Sequence, residues 1–421
     1  MKILFLTQLF PYPPICGGTI LSWNVLRHLG SQHDVTLACF VRKEPTKEQM
    51  DAAKSLCKEV RIVFIRRSTI ANIKSAATSL MSSMPFIIGR DHVPAMQSAV
   101  NQLLTSRRFD LIYVDHLQMA QYIAHWNRCP KVLNEHNVEW KIIERIAENE
   151  RLSPKGLFSQ IEWRKLRKWE LKNCARFDMV LTVSENDRYT LENANPEISN
   201  VTCLPIGVDF NSFPKTELSA SATDIVSIGT MSWPPNIDSI HYFVREVYPA
   251  IKARINGVKL VVAGSNPPRS VRQLSEQDSS IEITGFVEDL TTIAARAAAF
   301  IVPLRSGSGM RVKIINAMAM GLPIVSTSIG CEGINVKHDR HLLIADSSGE
   351  FADAIIRLIN DFDLRKRLAE AGRDFAMANY SWDSIYARLD KALDSLVSEN
   401  RDVLWPTRRR YSPPPVWIKS K

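Results

Sequence analysis

The sequence predicts an α/β protein of two doubly wound parallel-sheet domains that face each other across a cleft. Three observations carry this expectation. Short, continuous apolar runs alternate with helix-length stretches, which is how strands buried on both faces of a parallel sheet read. The runs fall into two series, separated by a polar stretch at residues 209–223 that contains Pro214 and a Ser/Ala run. The chain has 421 residues, enough at roughly 150 per domain for two or three domains with sizeable cores.

In the first series the candidate strands are residues 3–6, 35–40, 61–65, 111–114, 132–134, 179–183 and 201–205. Between the first two, Leu21, Val25 and Leu29 recur at helical spacing, which predicts a helix over residues 20–29. Gly17-Gly18-Thr19 lead into it. A strand–glycine loop–helix passage can bring backbone N–H groups up to a phosphate, and a tight turn needing positive φ uses the same residues. The loop is neither G-x-G-x-x-G nor a Walker sequence. His116 and His136 each follow the carboxyl end of a predicted strand, where open α/β sheets bind ligands. Both are candidates to reach a ligand, with hydrogen-bonded scaffold histidines as the alternative. A helical stretch at residues 161–174 carries Arg164, Lys165, Arg167, Lys168 and Lys172 with Trp163 and Trp169. It reads as a solvated basic face or as a patch against an anionic bilayer.

The second series comprises residues 225–228, 259–263, 281–284, 299–303, 323–326 and 342–345. Its strongest segment follows the strand that ends at Pro303. A small, glycine-rich loop leads into a helix of about three turns, closed by Gly321 and Pro323. Loop N–H groups and a helix N-terminus can hold an anion. Arg311 and Lys313 fall in the predicted first turn, where the helix dipole opposes cations, so an anionic ligand would account for them. On such a helix Asn316 lies about 10 Å from Gly309, roughly the span from a diphosphate to its ribose. A solvated helix start is the alternative. The predicted organisation is an N-terminal domain at 1–212, a C-terminal domain at 213–380, a helix at 381–399 and a basic, proline-rich tail at 400–421. That tail holds Arg408-Arg409-Arg410, Pro413-Pro414-Pro415, Trp405 and Trp417, and it cannot bury a core of its own.

A composition of 45% hydrophobic and 23% charged residues excludes disordered, collagenous and disulfide-stapled chains. The formal net charge of +9 favours phosphorylated ligands, an acidic bilayer or nucleic acid. Nucleic acid is disfavoured, because neither an RNP motif nor a helix-turn-helix signature is present. Seven scattered cysteines suit neither a disulfide framework nor a zinc site, and a reducing cytoplasm is expected. The apolar N-terminus is too short for a signal sequence and no stretch reaches the length of a membrane span, so a soluble or peripheral protein is expected.

Taken together, the chain resembles the glycosyltransferases of the GT-B fold, specifically the large retaining family 4, over residues 1–395. The resemblance rests on residues 11–18 with their double glycine, His33-Asp34-Val35-Thr36, Glu135-His136-Asn137-Val138-Glu139, Ser184-Glu185-Asn186-Asp187 and Pro205-Ile206-Gly207-Val208-Asp209. It continues through residues 229–236, Val262-Ala263-Gly264, Gly285-Phe286-Val287-Glu288-Asp289, the 303–323 segment and residues 328–333. It implies two Rossmann-like domains, the C-terminal one binding a nucleotide-diphospho-sugar and the N-terminal one mostly the acceptor, a glycan or lipid-linked saccharide. It implies that a histidine in the region of His116 meets the donor sugar; with His136, likewise at a strand end, His116 is a catalytic candidate, and Gly17, Gly18, Gly309, Met310, Arg311 and Lys313 are the candidates to surround the diphosphate. Ser308, Asn316, Phe286 and Val287 would then meet the sugar, ribose and base. The family's Glu-(x)7-Glu falls on Ser308 and Asn316, neither of which is Glu. Asn316 can still hydrogen-bond a ribose, whereas Ser308 is shorter and uncharged. The family usually places Arg and Lys just after the strand ending near Gly229. Here that stretch reads Thr230-Met231-Ser232-Trp233-Pro234-Pro235-Asn236, so Arg311, with Lys313, is expected to supply the charge from the opposite loop. The expected enzyme is retaining and metal-independent, with no cofactor beyond its nucleotide-sugar co-substrate. It would be cytoplasmic, peripheral to the inner face of a membrane, with an anionic membrane surface as a further partner. Another GT-B enzyme such as a nucleotide-sugar epimerase, and a non-catalytic nucleotide-sugar-binding protein, are the alternatives.

Overall fold

Each apolar run forms a strand, and every strand pairs in parallel with its neighbours. The computed structural model describes residues 1–150, 153–306 and 310–404. In the N-terminal domain, β1 (Lys2–Thr7), β2 (Asp34–Val41), β3 (Glu59–Phe64), β4 (Leu111–Asp115), β5 (Lys131–Glu135), β6 (Met179–Thr182) and β7 (Val201–Cys203) form one sheet in the order β3-β2-β1-β4-β5-β6-β7. In the C-terminal domain, β8 (Asp224–Ile228), β9 (Leu260–Ala263), β10 (Ile281–Gly285), β11 (Ala297–Val302), β12 (Ile324–Ser326) and β13 (Leu343–Ile344) form the other, in the order β10-β9-β8-β11-β12-β13.

The continuity of the apolar runs follows from helices on both sides. Successive side chains of a strand point to opposite faces. On β1, Ile3 and Phe5 pack with Leu21, Val25 and Leu29 of helix Gly17–Gln32, while Leu4 and Leu6 pack with Met96, Val100 and Leu103 of helix Pro94–Ser106. On β11, Phe300 and Val302 join the first of these clusters, whereas Ala299 and Ile301 face Phe351 and Ile355 of helix Ser348–Asn360. Full burial of each large apolar side chain contributes about 1.5–3 kcal/mol, so both faces of both sheets drive folding.

The polar stretch at 209–223 is strapped to the C-terminal domain. Thr216 N–H donates to the Met320 carbonyl at 2.8 Å, and the buried Arg365 donates to the carbonyls of Ala220 and Ala222 at 2.7 and 3.1 Å. Helix Phe362–Tyr380 closes that domain, and helix Trp382–Leu404 returns to the first. There the His28 ring stacks on Tyr386, and its Nε2 lies 2.7 Å from Asp390 Oδ1. The two passages between domains run side by side, with Val208 N–H donating to the Tyr380 carbonyl at 2.7 Å. Gly207 is required at this point, because a Cβ there would stand 2.6 Å from the Trp382 indole.

Three boundaries differ from expectation. The last helix runs on to Leu404, so the first residues assigned to the tail continue it; the remainder of the tail lies outside the described residues. The basic helix begins at Pro154, capped by the Ser153 hydroxyl. The helix after β11 spans only Val312–Ala319, eight residues. Arg311, at φ −88° and ψ 82°, precedes it, so the distance from residue 309 to Asn316 is not a helical rise. Among the described residues, no helix is long and apolar enough to cross a membrane.

Candidate functional site

A doubly wound sheet opens a crevice where its strand order reverses. The reversals lie between β1 and β4 in the first sheet and between β8 and β11 in the second. The loops leaving these four strands carry most of the candidate residues, while His136 follows β5 and Phe286 and Val287 follow β10.

The N-terminal half is organised by Asp115, the last residue of β4 and fully buried. Its Oδ2 accepts from Thr7 Oγ1 at 2.8 Å and Ser22 Oγ at 2.5 Å. Its Oδ1 accepts from Asn134 Nδ2 at 2.9 Å and lies 2.8 Å from His136 Nε2. His116 Nδ1 is 3.1 Å from Oδ2 and 2.9 Å from the Asp115 carbonyl. The two imidazoles stack, with centroids 3.9 Å apart. Burial opposes ionisation of Asp115, but the two rings hold its carboxyl well below the usual range. Burial also opposes charge on His116, and the Asp115 carboxylate outweighs it and raises the ring. His136 moves down, through burial and then the neighbouring His116 charge. Within the stack, a proton is thus favoured on His116 over His136. That residue sits at φ 80°, a strained region for an L side chain that concentrates at functional sites.

Gly17 and Gly18 open helix Gly17–Gln32 without the positive φ a tight turn would need. Their place is one of close approach. A Cβ on Gly18 would lie 3.5 Å from His136 Nδ1 and 3.6 Å from His116 Nε2. One on Gly17 would lie 3.4 Å from Ile206 and 4.0 Å from Val312, so this loop touches the start of the C-terminal domain's short helix. His136 Nδ1 is buried and has no hydrogen-bond partner among the described residues. Asp115, His116 and His136 lie within 4.8 Å of one another, close enough for a metal ion. The carboxylate oxygens, however, are already engaged by Thr7, Ser22, Asn134 and the rings, which describes a hydrogen-bonded cluster better than a ligand set.

The C-terminal half is organised by Lys313. Its Nζ donates to Asn236 Oδ1 at 2.7 Å, and Asn236 Nδ2 in turn closes the loop after β8 by donating to the Thr230 carbonyl at 2.9 Å. A Cβ on Gly229 would stand 3.1 Å from that Nζ. The lysine thus reaches from the opposite helix to the carboxyl end of β8. Burial, then the Arg311 charge, lower it to about 7. Arg311 is itself buried, with its guanidinium 5.6 Å from the Trp233 ring centroid; burial lowers it and Glu332 pulls the other way. Met310 is buried beside it and Asn316 is half-buried. Phe286 is 76% exposed at the end of β10, while Val287 packs inward. Ser308 and Gly309 lie outside the described residues.

Between the halves is a cavity of about 600 Å³, lined among others by Ile142, Arg145, Pro235, Ser306 and Glu332. Arg145, from helix Glu139–Asn149, spans the cleft to Glu332 with contacts of 2.6 and 3.2 Å. The structure brings His116, His136 and Gly18 into one cluster and Arg311 and Lys313 into another, and it leaves the Phe286 ring exposed.

Residues 222–361 match the family model described as glycosyl transferases group 1, and residues 16–212 match that of Glycosyltransferase Family 4. The chain is a family-4-like glycosyltransferase. An uncharacterised 44.6 kDa protein in the cps region of Klebsiella pneumoniae is 22% identical over 93% of this chain and 99% of its own length. A GDP-mannose-dependent phosphatidylinositol monomannoside mannosyltransferase of Mycobacterium tuberculosis is 27% identical over 50% of this chain and 60% of its own. Among solved structures, Anabaena HepE in complex with UDP superposes with a TM-score of 0.67 at 16% identity, covering 94% of this chain and 100% of that one. Sucrose-phosphate synthase from Thermosynechococcus elongatus gives 0.69 at 14% identity, over 95% and 100%. These two show the GT-B fold.

Several residues of the glycosyltransferase's cleft escaped the sequence reading. Asp115 stood in plain view beside His116, and an acid ending a wholly apolar strand was the available signal. Asn236 could have been suspected as a polar residue in the loop that lacks the family's cations. Thr7, Ser22 and Asn134, which fix Asp115, and the pair Arg145–Glu332 gave no local sign.

Proposed function

We propose that the protein transfers a sugar from a nucleotide-diphospho-sugar to a glycan or lipid-linked saccharide, with retention of configuration and without a metal ion at the diphosphate. The observation that carries this reading is Lys313, a half-buried lysine at the switch point of the C-terminal sheet whose Nζ donates to an amide and has the Arg311 charge as a neighbour. Enclosing a cation there is costly until an anion pairs with it. With Arg311 beside it, the pocket suits a diphosphate, whose charge grows as the glycosidic bond breaks. Asn316 would take the ribose and Phe286 the base. The sugar would lie toward Gly18, with His116 as hydrogen-bond donor through Nε2 and His136 Nδ1 as acceptor.

The mycobacterial relative is GDP-mannose-dependent by name and acts on a phosphatidylinositol mannoside, and HepE was solved with UDP. Both support a nucleoside-diphosphate donor, and the first supports a lipid-linked acceptor. The test is incubation of the purified protein with UDP- and GDP-sugars, with and without chelator. Slow release of nucleoside diphosphate that is insensitive to chelator and lost in Arg311→Ala is expected. Free epimerised sugar, or binding without turnover even when saccharide acceptors are added, would overturn the reading.

A further inference from the structure

Helix Thr69–Leu80 turns its apolar side outward. Of its twelve residues only Ser79 is buried, while Ile70, Ile73 and Leu80 form an exposed stripe that continues into Met81. Ile70 is 80% exposed and Met81 90%. A helix this short is marginal in water and is normally stabilised by burying such a stripe. This one is held at its C-terminal end by helix Pro154–Cys174. Lys165 Nζ donates to the Ser79 carbonyl at 2.5 Å, Ser79 Oγ donates to Glu162 at 2.7 Å, and Phe86 N–H donates to Glu162 at 2.6 Å. Beside that junction the second helix exposes Leu157 and Ile161, one turn apart.

Cations outnumber acids around the patch. Residues 65–84 contain Arg66, Lys74 and Arg67 and no acid, Arg67 being already paired with the buried Asp91 at 2.7 Å. Helix Pro154–Cys174 has two acids, Glu162 and Glu170, and both are buried, whereas Arg164, Arg167, Lys168 and Lys172 are exposed. Lys155, at its start, is already paired with Glu150. Exposed Ile, Leu and Met bordered by cations match the boundary of an anionic bilayer, where apolar side chains enter the headgroup region and Lys and Arg meet lipid phosphates. Helix Pro154–Cys174 also packs along helix Glu139–Asn149, whose Arg145 lines the cleft.

We propose that this surface docks the protein on an anionic bilayer, independently of the tail. The inference rests on the proposed function only in that a lipid-linked acceptor gives such docking a use. The test is sedimentation with phosphatidylcholine vesicles, with and without phosphatidylglycerol, at low and high salt. The proteins compared are the full chain, a chain ending at Glu399, the triple variant Ile70→Glu/Ile73→Glu/Met81→Glu, and the pair Arg164→Glu/Lys168→Glu. The full and shortened chains should both sediment with the anionic vesicles. The triple variant should lose roughly tenfold or more of its partition, and the pair should lose most of its low-salt binding. The substituted side chains are already exposed, so melting temperature and nucleoside diphosphate binding should stay unchanged. Four results would overturn the proposal: no sedimentation of the full chain at low salt, loss only on truncation, full binding by the triple variant, or a dimer abolished by the triple variant in place of vesicle binding. Failure to bind any nucleoside diphosphate would sink the donor reading and leave the vesicle result standing.

Discussion

The two halves of the cleft treat charge in opposite ways. In the N-terminal half the charge is answered in place: the Asp115 carboxylate lies under two stacked imidazoles and accepts from three further side chains. In the C-terminal half, Lys313 has an amide for a partner and Arg311 for a neighbour, and its affinity for a proton falls to about 7. One half answers its buried charge with neighbouring side chains, and the other sets two cations near each other with an amide on the lysine. On the proposed function, the first half would position the sugar and the second, waiting half would take up a proton on Lys313 as the diphosphate binds.

The largest effect should come from breaking the N-terminal half. Asp115→Asn removes the anion beneath the imidazole pair and is expected to cost about 3 kcal/mol or more of folding stability, as for other severed buried pairs. Denaturant unfolding measures it. His116 should then lose its proton at lower pH, visible as a shifted imidazole titration by NMR. Wild-type stability would mean that the carboxylate is not the anchor. The sign of the pH dependence follows. The raised His116 contributes stability that is complete below its unfolded value of 6.5 and is lost as pH rises through its folded one.

The waiting half should respond the other way. Lys313→Met is expected to weaken nucleoside diphosphate binding by about 1.5–3 kcal/mol while leaving the melting temperature unchanged or higher, because a desolvated cation has been removed. With a folded value near 7 against an ordinary 10.5, the unfolded chain binds the extra proton between those limits. Lys313 thus favours the ligand-free fold more as pH rises through that window. Bound diphosphate must restore the proton, so wild-type affinity should fall as pH climbs above about 7 and the variant's should stay flat. Calorimetry across pH decides this, and a flat wild-type profile would end the claim.

The smallest effect is expected at Asn316→Glu, which returns the residue usual in the family to a half-buried position. Both melting temperature and nucleotide affinity should change by less than about 1 kcal/mol, affinity in the tighter direction. A large fall in melting temperature without ligand would assign Asn316 to helix packing and separate it from the waiting half.

The strands were legible because a parallel strand covered on both sides must be apolar throughout, and that leaves a mark in consecutive residues. The start of helix Val312–Ala319 was not, because the small loop residues before it carry no apolar spacing and Arg311 leaves the helical region. Arg311 and Lys313 were legible as cations that the local structure did not explain. The anchors were not, since Asp115 is fixed by Thr7, Ser22 and Asn134, which come from three different elements. The patch on helix Thr69–Leu80 illustrates the same limit, because spacing reveals an apolar stripe but not whether the fold turns it inward.

The contact of Gly207 with Trp382 has a mechanical consequence. Among the described residues the chain passes between the domains at two places only, and those places touch. A pair of adjacent tethers acts as an axle rather than a ball joint, leaving one easy rotation and resisting twist and slide. The indole pressed on Gly207 is the bearing surface. On such an axle the two domains would part and come back to the same register.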